Sequence, residues 1–93
     1  MSLLNEKKIA KQMKVVRGWK RNGNEINRTF IFKDFVHAMV FVQSVALFSE
    51  KADHHPEWTN AWNKVSIKLS THSAGNKITQ KDTDLAHAID QLS

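Results

Sequence analysis

Apolar and polar residues follow two different spacings along the chain, and each spacing predicts a type of element. Residues 5–13 have helical spacing and begin at Asn5, a residue type that caps helices well. Residues 15–21 predict a first strand, and residues 25–33 a second one in which apolar and polar side chains alternate. The turn-forming segment Asn22-Gly23-Asn24 lies between them, so the two strands are predicted to pair as an antiparallel hairpin.

The middle of the chain predicts one long helix over residues 34–52, with Asp34 as its N-cap. Apolar side chains cover nearly its whole circumference: Phe35, Val36, Met39, Val40, Phe41, Val42, Val45, Ala46, Leu47 and Phe48. One sheet cannot cover so wide a face. Two explanations stay open at this point, burial in a subunit interface or coverage by the other two helices.

The last third of the chain predicts a third strand and a final helix. Residues 62–70 alternate in polarity and predict a strand that begins at Trp62 and places this indole in the core. Residues 73–76 predict a turn or a short irregular strand, and Thr79 caps a helix in which Asp82 is the capping-box acid. The order α-β-β-α-β-β-α predicts an α+β domain, an antiparallel sheet of three to four strands with helices packed on one face.

Composition narrows the class of protein. The 93 residues are 41% apolar and 25% charged, which suits a single folded domain over residues 1–93. The absence of cysteine excludes disulfides, thiolate metal sites and a thiol nucleophile. The first residues lack the apolar run of a signal peptide, and no window approaches the ~20 apolar residues of a membrane span, so we expect a cytoplasmic protein without membrane contacts.

The net charge of +5 is unevenly distributed. Basic residues crowd the first quarter of the chain, where Glu6 is the only acid: Lys7, Lys8, Lys11, Lys14, Arg17, Lys20 and Arg21. Such a cluster can attract nucleic acid or an anionic substrate. Because no aromatic or arginine-rich recognition pattern accompanies it, we favour a solvated helix face and a lysine-protected strand edge, and we do not expect nucleic acid as a partner.

Histidines provide the candidate chemistry. His54 and His55 follow the long helix and His72 follows the third strand, so a sheet packed under the helix can bring them to one pocket. Imidazoles exchange protons near neutral pH, which suits a reaction that adds one proton and removes another. The spacing alone leaves two alternatives open, a three-histidine zinc site and surface histidines without a function. His37 and His87, on predicted helices, are expected to be surface or packing residues.

The segment around these histidines resembles the signature of the pterin-4a-carbinolamine dehydratase family. Glu50, His54-His55-Pro56, Trp62 and His72 have the order and spacing of that signature, with tryptophan at a position that is often tyrosine in the family, and Asp82 follows in order after a slightly long loop. The neighbouring segments are also similar: Phe32-x-Asp34-Phe35, Asp53-His54-His55-Pro56-Glu57-Trp58, Trp62-Asn63-x-Val65, Leu69-Ser70-Thr71-His72 and Asp82-x-Asp84-Leu85-Ala86. The resemblance covers nearly the whole chain.

The resemblance implies an enzyme that converts a 4a-hydroxytetrahydropterin to the quinonoid dihydropterin plus water, in tetrahydrobiopterin regeneration, without a metal or an organic cofactor. It implies that His54, His55 and His72 line the pterin pocket, and we interpret His54 and His72 as the acid/base pair and His55 as a substrate-binding residue. The other candidate substrate-binding residues are Glu50, Asp53, Pro56, Glu57, Trp58, Lys81 and Asp82.

The resemblance also implies a homodimer or homotetramer in which the helix over residues 34–52 packs against its copies. On this hypothesis an aspartate at Val42 or Val45 weakens assembly. The alternative function is a non-catalytic oligomeric interaction module, of the dimerisation-cofactor or transcriptional-regulator type, in which the pocket is vestigial.

Overall fold

Three helices and one four-stranded sheet make up the part of the chain that the structure, a computed structural model, describes, residues 5–93. The beginning of the segment inspected for a signal peptide lies outside this part. In chain order the elements are α1 (Glu6–Met13), β1 (Lys20–Asn22), β2 (Glu25–Ile31), α2 (Phe35–Ala52), β3 (Glu57–Ala61), β4 (Lys64–Leu69), a 3₁₀ turn (His72–Ala74) and α3 (Gln80–Asp90). The sheet order is β1-β2-β4-β3 with antiparallel neighbours. The predicted α+β class and element order are confirmed.

The helices pack on one face of the sheet. On β4, Val65, Ile67 and Leu69 are buried, whereas Lys64 and Lys68 on the opposite face are exposed. Each helix contributes to the same core, and its helical members are Ile9, Ala38, Phe41, Val45, Leu85, Ala86 and Ile89. Burial of a Val, Leu, Ile or Phe side chain contributes roughly 1.5–3 kcal/mol, so this shared core is what holds α2 and α3 against the sheet.

The hairpin after α2 differs from the predicted third strand over residues 62–70. Its two strands, β3 and β4, are joined at Trp62 and Asn63. Trp62 has a left-handed backbone with φ of 52° and is 68% exposed, so the prediction that it lies in the core was wrong. A bulky residue rarely adopts this conformation, and no Gly marks the turn. Residues 73–76 form a turn rather than a strand.

The first strand is also shorter than predicted. Residues 15–19 form turns, and β1 begins only at Lys20. Val16 and Trp19, three residues apart, are both buried in the core, so the apolar side chains that suggested a strand are buried by a turn. The indole Nε1 of Trp19 donates to Oδ1 of Asp90 at 2.8 Å, which ties this turn to the end of α3.

The long helix has the predicted extent, but its buried face is narrower than its apolar surface. Asp34 caps α2 by accepting a hydrogen bond from the backbone N–H of His37 at 2.8 Å. The buried stripe consists of Ala38, Phe41, Val45 and Ser49. The apolar side chains that remain exposed are Phe35, Val36, Val40, Leu47 and Phe48. Within residues 5–93 the other two helices therefore do not cover this face, which contradicts one of the two explanations above. Val45 was wrongly placed at an interface.

Candidate active site

The end of α2 positions the first histidine. Asp53 ends the helix in a left-handed conformation with φ of 50°, and the next backbone N–H, that of His54, donates to Ser49 O at 3.0 Å. This bend turns the His54 side chain inward, where it is 7% exposed. Its Nε2 lies 2.6 Å from Oδ1 of Asp82, which is fully buried in the first turn of α3. The bend at the helix end thus brings an imidazole against a buried carboxylate.

Asp82 is held by the capping box of α3. Its Oδ2 accepts from the backbone N–H of Thr79 at 2.8 Å and from the hydroxyl of Thr71 at 2.9 Å. The hydroxyls of Thr71 and Thr79 are 2.6 Å apart, and both residues are buried. The capping box was predicted, whereas the role of Thr71 was not, because the only sequence signal for it is its position next to His72.

His55 has a different environment. It is exposed, and its Nε2 lies 2.6 Å from Oε1 of Glu50, one turn back on α2. Both side chains are solvated, so this pair orients the imidazole but contributes little to stability. Glu50 therefore contacts a histidine rather than the cleft described next.

All three candidate histidines line one cleft of about 410 Å³. His54 and His55 enter from the end of α2, and His72 enters from the 3₁₀ turn after β4. The rest of its lining consists of Asp53, Thr71, Ser73 and Lys81. Three imidazoles, a carboxylate and an ammonium group around one cleft can donate and accept protons on a bound polar molecule.

Apart from Asp53 and Lys81, the predicted substrate-binding residues are not part of the lining of this cleft. An adjoining cleft of about 260 Å³ shares His55 and His72 and includes Glu57. Trp58, on the edge strand β3, is 44% exposed and borders a separate surface cleft. Pro56 belongs to neither histidine cleft. Asp82 has no exposed surface to offer a ligand, so its contact with the site is through His54.

The remaining two histidines lie on helices outside the cleft lining. His37 is exposed and pairs through Nδ1 with Asp34 at 2.7 Å, and His87 is exposed on α3. Within residues 5–93, no group of three histidine or acidic side chains is arranged to hold a metal ion. No helix in this part of the chain is long and apolar enough to cross a membrane.

These observations define the class of protein: an α+β fold with a histidine-lined cleft at the end of its long helix. Residues 2–92 match the family described as Pterin 4 alpha carbinolamine dehydratase. The chain is 45% identical over 91 residues to a protein of Roseiflexus castenholzii that carries this enzyme name provisionally, covering 98% of this chain and 97% of the relative. A similarly named protein of Thermomicrobium roseum is 41% identical, covering 100% and 99%. This chain belongs to the pterin-4-alpha-carbinolamine dehydratase family.

Solved structures agree with this assignment. A crystal structure from Brucella melitensis, described as a transcriptional coactivator/pterin dehydratase, has a TM-score of 0.91 and 39% identity, covering 98% of both chains. A pterin dehydratase-like protein described as a RuBisCO assembly factor of the alpha-carboxysome has a TM-score of 0.66 and 19% identity, covering 80% of this chain and 84% of that one. The second likeness concerns the fold alone.

Proposed function

We propose that this protein is a 4a-hydroxytetrahydrobiopterin dehydratase, a hydro-lyase that acts in the regeneration of tetrahydrobiopterin. Its substrate is a 4a-hydroxytetrahydropterin, and its products are the quinonoid dihydropterin and water. Family membership supports the reaction class. The observation that carries the proposal is the cleft in which His54, His55 and His72 meet, with one imidazole backed by a buried carboxylate.

The elimination needs two proton transfers. The substrate carries a hydroxyl on the carbon next to a ring nitrogen; one group protonates this hydroxyl as the C–O bond breaks, and another removes a proton from the ring system as the C=N bond forms. We assign these transfers to His54 and His72, which line the cleft from different elements. Positioned proton transfer accelerates a reaction by roughly 10²–10⁴-fold. The carboxylate of Asp82, 2.6 Å from Nε2 of His54, holds this imidazole in place in the cleft.

Binding is assigned to the other side chains in the cleft lining. His55, oriented by Glu50, and the charged Asp53 and Lys81 have the donors and acceptors to hold the polar edge of a pterin. Glu57 is available in the adjoining cleft for a substituent of the ring. Pro56 and Trp58 are proposed to act indirectly, through the conformation of the segment that enters β3.

The test is the rate at which 4a-hydroxytetrahydropterin disappears, followed by ultraviolet absorbance after a hydroxylase generates it. We expect purified protein to accelerate the spontaneous dehydration. The matched control is the double variant His54→Ala/His72→Ala at equal concentration, with its fold checked by circular dichroism. A wild-type rate equal to the spontaneous rate would refute the proposed function, whereas a double variant as fast as an active wild type would refute only the roles assigned to His54 and His72.

The exposed apolar face of α2 supports two further proposals. We propose that residues 1–93 act as one domain that assembles into a homodimer or homotetramer through the helix over 34–52. The same face supports the second candidate function, a non-catalytic oligomeric interaction module. An assembled protein without dehydratase activity is the outcome that favours this candidate. A cytoplasmic location stays a prediction.

A further inference from the structure

The buried hydroxyl of Thr71 connects the capping box of α3 to the catalytic cleft, and the mechanism proposed above does not use it. Thr71 lies between β4 and the 3₁₀ turn and is 2% exposed, so almost none of its surface is available to a ligand. Its Oγ1 lies 2.9 Å from Oδ2 of Asp82 and 2.6 Å from Oγ1 of Thr79. This buried hydroxyl has two polar contacts beside the proposed site of proton transfer. The direction of its hydrogen bonds therefore decides how it acts on Asp82 and His54.

These directions are fixed by the number of protons. An ionised carboxylate only accepts, so the Thr71 hydroxyl donates its one proton to Asp82. The Thr79 hydroxyl therefore donates its proton to Oγ1 of Thr71. Oδ2 of Asp82 also accepts from the Thr79 backbone N–H at 2.8 Å. Two donors thus hold Oδ2, while Oδ1 faces Nε2 of His54 at 2.6 Å.

We propose that Thr71 is a positioning residue for His54 and acts through Asp82. Because the carboxylate is held by Oδ2, Oδ1 is presented to His54 as a fixed acceptor, and Nε2 carries the imidazole proton. The lone pair of the neutral ring is then on Nδ1. His54 therefore exchanges a proton with the substrate through Nδ1. Its Nε2–H stays hydrogen-bonded to the Asp82 carboxylate throughout. The kinetic part of this inference rests on the proposed function.

The tautomer is measured on the free protein, without substrate. In long-range ¹H–¹⁵N spectra of histidine-labelled protein, with His54 assigned by its loss in His54→Ala, we expect a protonated Nε2 and a bare Nδ1. Thr71→Val removes the hydroxyl at nearly unchanged volume, and we expect it to produce a mixture of tautomers. Thr71→Ser keeps the hydroxyl and should restore the wild-type spectrum. A proton on Nδ1 in the wild-type protein would overturn the proposal.

The kinetic test uses the same variants. Thr71→Val is expected to lower kcat about tenfold at unchanged KM, an effect in the range of groups that orient an active imidazole, and Thr71→Ser to recover most of it. Thr29→Val is the matched control, because it removes an exposed hydroxyl that bonds to Ser66 across β2 and β4. If Thr71→Val leaves both the spectrum and kcat unchanged, or mainly raises KM, the proposal is wrong.

Two outcomes separate this proposal from its alternatives. If Thr71→Val does not fold, Thr71→Ala, which adds no atoms, replaces it, and failure of both to fold would make Thr71 a structural residue and overturn its positioning role. If the wild-type protein has no dehydratase activity, the proposed function fails, while the tautomers of wild type and Thr71→Val still decide what Thr71 does.

Discussion

A single carboxylate, that of Asp82, has two structural tasks in this molecule. It closes the capping box of α3 through Oδ2 and holds His54 through Oδ1. Local spacing predicted Asp82 as a capping acid, and the family resemblance predicted it as a site residue. It did not predict that the carboxylate is buried behind the histidine, because this depends on how α3 packs against the end of α2, 28 residues away along the chain.

The three histidines of the cleft are expected to fail differently when replaced by alanine. Loss of His54 or His72 should lower kcat by about 10²-fold with little change in KM, because proton transfer is an interaction made in the transition state. Loss of His55 should raise KM more than it lowers kcat. The measurement is steady-state kinetics over a range of substrate concentrations for each variant.

Two histidines outside the cleft are the internal controls for this series. His37→Ala and His87→Ala remove exposed imidazoles on α2 and α3 and should leave kcat/KM near the wild-type value. The assignment of roles is wrong if His37→Ala is as damaging as His54→Ala, or if the His54→Ala/His72→Ala variant keeps near-normal kcat/KM.

Activity is expected to survive removal of metal ions. The proposed acid and base are imidazoles that need no metal to exchange protons near neutral pH. The measurement is the dehydration rate after exhaustive treatment with EDTA, with a sample passed through the same buffer exchange without chelator as the control. Loss of activity that zinc alone restores would favour the metal interpretation.

At the scale of the element, α2 shows which features of a helix can be predicted from sequence. Its extent over residues 34–52 was predicted because Asp34 is a strong cap and the apolar pattern is long. Its buried face was not, since a helix that is apolar nearly all round has no periodicity that selects one side. The β3–β4 hairpin was partly missed because its turn has no clear sequence signal. The turn residues, Trp62 and Asn63, do not include the glycine that usually marks a hairpin turn.

The Asp34 cap of α2 is expected to make the stability of the fold decrease at acidic pH. The backbone N–H of His37, and then its side chain, bond to the Asp34 carboxylate and lower the pKa of Asp34 below its ordinary value. A group whose pKa is lowered by folding stabilises the fold at a pH above its pKa in the unfolded chain, and this contribution is lost as the pH falls through the lower, folded value. Asp34→Ala should therefore lower the Tm at pH 7 by a few degrees.

The difference in Tm between Asp34→Ala and wild type should narrow below a pH of about 4, because protonation then removes the negative charge of Asp34 in the wild-type protein. Thermal unfolding by circular dichroism at several pH values measures it. Asp53→Ala serves as a comparison, because it removes a carboxylate from the C-terminal end of the same helix. A difference that stays constant from pH 7 to strong acid would contradict the electrostatic origin of the effect.

At the scale of the whole molecule, the described residues 5–93 leave the apolar face of α2 uncovered. Sequence reasoning found the excess of apolar surface and included Val40 and Leu47 in it, but chose Val42 and Val45 as the positions that test it. Val45 is 1% exposed and Val42 packs against the core, so a charge at either position should unfold the protein rather than separate its subunits. Val40 and Leu47, exposed by 59% and 73%, are the positions that test an interface.

We expect the wild-type protein to sediment as a dimer or tetramer of its 10.7 kDa chain, and Val40→Asp and Leu47→Asp to shift it to the monomer without loss of helical signal. A charge at the centre of a buried apolar contact loses its hydration without gaining a partner, whereas on a free surface it costs little. Ile31→Asp is the control, because Ile31 is 68% exposed on the sheet face opposite the helices. A monomeric wild-type protein would contradict assembly at micromolar concentration, and equal effects of Ile31→Asp and Val40→Asp would contradict α2 as the interface.

If the Val40→Asp monomer keeps full dehydratase activity, each cleft works within one chain and assembly serves stability. A monomer that folds but loses activity would instead indicate that the cleft depends on packing of α2 against its copy, since His54 and His55 immediately follow this helix.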